Sequence, residues 1–171
     1  MKVVGLDISR RSTGIAFGDG TCPPRTDCAS FKGPTLGDIN HNFRKWFREK
    51  LVLEKPDFVM IEAAFIAPTD DAWVRSIMIG LNMTAQGVCA GRNIPCATVA
   101  CQTWRKAFIG EGYPKNPKLA AINMCEALGW EVYENHDRAE ACGLWAYGHL
   151  EHGNSKAMHR LLSDYQVRRI A

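Results

Sequence analysis

The chain has 171 residues, 46% of them hydrophobic, and 21 basic against 18 acidic residues, for a net charge of +3. That balance excludes a disordered chain, and no apolar run reaches the ~18 residues that a membrane span needs. The length suits a single domain with a continuous core over residues 1–171, carrying a basic tail after about residue 153.

Residues 3–8 and 14–17 are short β-rich runs separated by the polar turn Ser9-Arg10-Arg11-Ser12-Thr13, which reads as an antiparallel hairpin. An acid at Asp7 comes far too early for a signal peptide, so an intracellular protein is expected. Residues 18–24 are turn-rich, and a third strand is expected near 27–31. Over residues 36–53, Leu36, Ile39, Phe43, Trp46, Phe47 and Leu51 follow helical spacing. Pro56 turns the chain into a strand at 58–61. A long helix, capped by Thr69 or Asp70, is expected to run to about Gly91. A strand at 96–99 precedes a polar connection rich in Lys, Gly and Pro that extends to Pro117. A helix over about 118–128 stops before Gly129, and a last long helix runs from near Asp137 to about Leu150. The basic tail beyond Gly153 has weak helical character. Hairpin, third strand and two right-handed crossovers combine into an α/β fold, a mixed five-stranded sheet flanked by helices.

The seven cysteines are odd in number and form no Cys-x-x-Cys pair, so neither a disulfide framework nor a zinc ribbon is indicated. Cys22 and Cys28 flank a Pro-Pro turn and are the one pair spaced for a bridge, although seven reduced thiols are the default. His149 and His152 stand three apart with no further His or Cys beside them, too few for a four-ligand zinc site.

The chemistry lies in four acids. Asp7 and Glu62 each close an apolar strand run, Val3-Val4-Gly5-Leu6-Asp7 and Phe58-Val59-Met60-Ile61-Glu62. Those two ends become neighbours if the first and fourth strands pair in parallel. Asp137 and Glu140 stand three apart at a helix start and so share one face. Taken singly, each is an ordinary turn former or a partner for the helix dipole. Taken together, they would repel strongly unless cations neutralised them. Two divalent ions roughly 3.5–4 Å apart would do so, and such a pair stabilises the attacking and leaving oxygens of phosphodiester cleavage. The expected cofactor is therefore a pair of Mg²⁺ or Mn²⁺ ions per site, with all four acids as catalytic ligands. His136 directly precedes Asp137, either as a partly exposed residue at the helix start or as a group that supports the ligands or shuttles a proton.

In this order and spacing, the residues resemble the RuvC family of Holliday junction resolvases, within the ribonuclease H-like superfamily. The similarity runs from about residue 2 to 152. Val4-Gly5-Leu6-Asp7-Ile8-Ser9-Arg10-Arg11-Ser12-Thr13-Gly14 is similar to the family's first-strand motif, Ile61-Glu62 to its second acid, and His136-Asp137-Arg138-Ala139-Glu140-Ala141 to its closing motif. Two departures stand out. Ile8-Ser9 replaces the usual Pro-Gly, and Glu140 replaces the usual Asp, as in a divergent, phage-type member.

The resemblance implies a crossover junction endodeoxyribonuclease that cuts branched DNA in paired steps, leaves 5′-phosphate ends and acts in the cytoplasm of a bacterial or phage-infected host cell. It implies that Phe65 stacks on a junction base, the rival being a ring packed in the core beside Ile66. It further implies that Arg105, Lys106, Lys115 and Lys118 hold phosphates, Arg105 and Lys118 matching best. It gives meaning to the long helix, whose Trp73, Ile77, Met78, Leu81, Met83, Ala85 and Val88 spread over more than one face. One face would meet the sheet and the other a twin subunit in a homodimer, or the helix would be sandwiched within one chain. The alternatives are a nuclease of the same fold acting on flaps, forks or hybrids, and a junction-binding protein without catalysis. Asp7 to Gly14 also resembles the phosphate-binding hairpin of actin-like phosphotransfer domains, which need two such domains and more residues than this chain has.

Overall fold

Five consecutive buried residues make β1 (Val3–Asp7) the centre of the sheet. Its side chains alternate: Val4 and Leu6 enter one apolar layer and Val3 the other. β2 (Thr13–Gly18) pairs antiparallel with β1, and β3 (Arg25–Ala29) pairs antiparallel with β2. β4 (Phe58–Glu62) pairs parallel with β1, and β5 (Cys96–Val99) pairs parallel with β4. The strand order is β3-β2-β1-β4-β5, the mixed five-stranded sheet expected from the sequence. This computed structural model describes residues 1–21, 23–153 and 156–170, with side chains to residue 165.

One face of the sheet is covered by α1 (Leu36–Glu54) and α2 (Ala72–Ala90), which contribute Phe43, Phe47, Leu51, Ile77 and Leu81. The other is covered by α3 (Cys101–Ile109), α4 (Pro117–Ala127), α5 (His136–Glu151) and α6 (Lys156–Ile170), which contribute Trp104, Phe108, Met124, Trp145 and Leu162. α5 lies directly on the central strands, and two glycines permit the approach. A Cβ on Gly5 would fall 2.3 Å from the Ala141 carbonyl oxygen, and one on Gly14 would fall 1.9 Å from the Asp137 carbonyl oxygen. The second contact seats the first turn of α5 against the end of the hairpin.

Four elements differ from the sequence reading. β3 ends at Ala29 because its register is set by β2, with Thr13 opposite Ala29 and Phe17 opposite Arg25. Phe31 leaves the sheet and packs edge-on against Phe43, ring centroids 5.4 Å apart. The cap of α2 is Asp71, which accepts from the Val74 N–H, while Asp70 accepts from the Ala67 N–H in the preceding turn. Part of the supposed polar connection is helical, as α3. The tail forms α6, which buries Met158 and Leu162 against the core. The six described cysteines are free, and Cys22, half of the bridge considered above, lies outside the described residues. Among the described residues, no helix is long and apolar enough to cross a membrane.

Candidate active site

The β1–β4 register brings the first two acids together. Leu6 stands opposite Ile61, so Asp7 and Glu62 end neighbouring parallel strands at the same edge. α5 starts at that edge, held there by its cap. Asn135 accepts from the Arg138 N–H, and the Arg138 side chain reaches the Thr26 carbonyl on β3 at 3.2 Å. The first turns of α5 thus deliver Asp137 and Glu140 toward Asp7. Asp7, Asp137 and Glu140 are buried, and each offers an oxygen within 4.8 Å of the other two. Glu62 lies beside Asp7 at the rim of this trio, and each bears on the other's titration.

The electrostatics follow from this crowding. Burial pushes the Asp7 carboxyl well above its ordinary range, and the neighbouring Glu62, Glu140 and Asp137 push it further. Glu62 is raised too, first by burial and also by Glu140, against the opposing pull of Asp7 and Arg105. Arg105 is the guanidinium inside the cluster, with Nη2 2.6 Å from Glu140 Oε1. Oxygen donors that outnumber the cations among them fit Mg²⁺ or Mn²⁺, both of which prefer carboxylate and water ligands. The positive end of the α5 dipole relieves only part of this charge.

The remaining expected residues separate into distinct settings. His136, the first residue of α5, is partly exposed and places Nδ1 3.3 Å from Asp137 Oδ1. Phe65, three residues past Glu62, is 69% exposed rather than packed beside Ile66. Lys106, Lys115 and Lys118 face solvent, whereas Arg105 turns inward to Glu140.

Two supporting residues escape the sequence reading. Asn82, buried on α2, donates from Nδ2 to the Glu62 carbonyl at 2.7 Å and accepts from Gln86 at 3.0 Å. A lone Asn on an otherwise apolar helix face is the signal that would have found it. Trp104 is wholly buried, and its indole N–H, with no hydrogen-bond partner among the described residues, lies close to Glu62. Nothing in its local sequence marks it.

No protein-family model matches the chain, and no curated protein does. Solved structures do match. The Thermus thermophilus RuvC structure is 17% identical with a TM-score of 0.69, over 90% of this chain and 97% of that one. T. thermophilus RuvC in complex with Holliday junction substrate is 13% identical with a TM-score of 0.66, over 85% of this chain and 90% of that one. The yeast mitochondrial Holliday junction resolvase Ydc2 is 9% identical with a TM-score of 0.57, over 83% of this chain and 75% of that one. By architecture, the chain has the ribonuclease H-like fold of the RuvC-type resolvases.

Proposed function

We propose that this chain is a metal-dependent endonuclease that resolves four-way DNA junctions by paired phosphodiester cleavage. The observation that carries the reading is the convergence of Asp7, Glu62, Asp137 and Glu140 on one sheet edge of a RuvC-type fold. These four carboxylates would hold Mg²⁺ or Mn²⁺. When bound, a pair of such ions supplies an activated water and charge neutralisation at the departing 3′ oxygen, which leaves a 5′-phosphate.

The chain's own residues prepare that site. The raised Asp7 and Glu62 carboxyls would have to be ionised to hold a cation, so metal uptake should strengthen as pH rises. Asn82 fixes the β4 end that carries Glu62, and His136 steadies Asp137. The exposed Phe65 ring is free to stack on an unpaired base, an interaction worth about 1–3 kcal/mol. Lys106, Lys115 and Lys118 offer phosphate contacts that position DNA, while selectivity comes from junction shape and deformability. A homodimer would supply the second active site that paired incision needs.

The test offers labelled four-way junction, fork, flap and linear duplex in Mg²⁺ or Mn²⁺. Paired cuts in the junction with 5′-phosphate ends are expected, and Asp7→Asn should lose at least about a hundredfold in rate. Equal cutting of all four substrates would overturn the resolvase reading in favour of a general nuclease. Tight junction binding without cutting in either metal would favour a non-catalytic binder.

A further inference from the structure

Arg105 stands apart from the cations around it. Lys106, Lys115 and Lys118 lie in solvent, but the Arg105 side chain is 17% exposed and reaches Glu140 Oε1 at 2.6 Å. Its guanidinium rests against the Trp104 ring, 5.2 Å from the centroid, and also interacts with Glu62. Its Nε is buried without a hydrogen-bond partner among the described residues. α3 thus inserts a positive charge among the four carboxylates, on one of the two oxygens of Glu140.

Once Asp7 and Glu62 ionise to hold a cation, the four carboxylates and that guanidinium together carry a net of three negative charges. One divalent cation leaves such a cluster short of neutral, and two overshoot it until a phosphate arrives. We propose that Arg105 is the resident cation of the site: it holds Glu140 in the DNA-free protein, limits uptake to one divalent cation per chain, and moves to the incoming phosphodiester, freeing Glu140 to help take a second. The inference rests on the four-carboxylate reading above and adds a rule for the order of loading. A guanidinium suits this exchange because its planar fork pairs with carboxylate and phosphate alike, and here only Nη2 is engaged by Glu140. Metal loading and substrate binding then favour one another reciprocally.

The test is a Mn²⁺ titration of the full chain without DNA, followed by calorimetry and by the electron paramagnetic resonance of free Mn²⁺. Wild type is expected to take up one Mn²⁺ per chain. Arg105→Gln should take up a second with affinity raised about tenfold or more, whereas Arg105→Lys, which keeps the charge, should stay close to wild type. Two Mn²⁺ bound by wild type without DNA would overturn the proposal, as would identical stoichiometry and affinity in Arg105→Gln. If Arg105→Gln does not fold, Arg105→Met takes its place: a second Mn²⁺ is expected, and uptake identical to wild type would overturn the proposal. No Mn²⁺ uptake at all would overturn the metal-centre reading, and the loading order with it.

Discussion

Asp7 shows what crowding does to a single residue. Its folded-state pKa is raised, by burial first and by three neighbouring carboxylates next. The folded protein therefore keeps a proton over a pH range in which the unfolded chain, with an Asp near about 3.9, has lost it. The stability associated with this proton is fully present below the unfolded pKa and is lost as pH rises through the raised folded one. Glu62, raised in the same direction, adds to the loss. His149 works oppositely: it is buried beside the Gly18 carbonyl with its pKa lowered, so its contribution is lost as pH falls. Comparison with Asp7→Asn removes that background. In EDTA, the Tm advantage of Asp7→Asn over wild type should widen from pH 5 to pH 8, and Mg²⁺ should raise the wild-type Tm more at pH 8 than at pH 5. A constant difference in scanning calorimetry would show that Asp7 carries no such strain.

At the scale of elements, α2 acts as a brace for β4. Asn82 links the Glu62 carbonyl to Gln86, and Thr84 donates to Asn40 at 2.7 Å, joining α2 to α1. Asn82→Leu keeps the bulk but leaves a part-buried carbonyl without its donor, a loss of about 1–3 kcal/mol. Urea unfolding should register that loss. Junction cleavage should fall about tenfold in kcat with KM little changed, because Glu62 is displaced while the DNA contacts stay intact. A larger effect on KM than on kcat would show that Asn82 serves binding instead. The β1 and β4 ends were legible in the sequence because both strands are continuous apolar runs closed by an acid, and Asp137 and Glu140 because three-residue spacing on a helix is visible locally. α3 was not. Its cap residue, Ala100, makes no side-chain bond, and its buried Trp104, Phe108 and Ile109 cover barely more than one turn. Arg105 turns inward only because α3 exists, so its contact with Glu140 depended on tertiary packing that no local pattern carries.

For the molecule as a whole, the decisive surface is the outer face of α2. Ile77, Leu81, Ala85 and Cys89 enter the core, while Trp73, Ile79 and Met83 are 46%, 44% and 66% exposed. The helix carries one charged residue, Arg75. Among the described residues, the chain covers one side of α2 and leaves the other exposed, so sandwiching within those residues does not account for its apolar character. Exposed apolar residues grouped on one helix suit the homodimer interface proposed above. A two-fold axis through this face would pair α2 with its copy and set two carboxylate clusters on one assembly, as paired incision of a four-way junction requires. The double variant Ile79→Glu/Met83→Glu places like charges against each other across that axis and should weaken self-association by about a hundredfold or more. Sedimentation velocity should then show a monomer with an unchanged far-ultraviolet spectrum. The cleavage products should shift from paired cuts to single nicks, because each carboxylate cluster stays intact but acts alone. If the double variant sediments like wild type, α2 is not the interface. If it is monomeric and still makes paired cuts, resolution does not need the dimer.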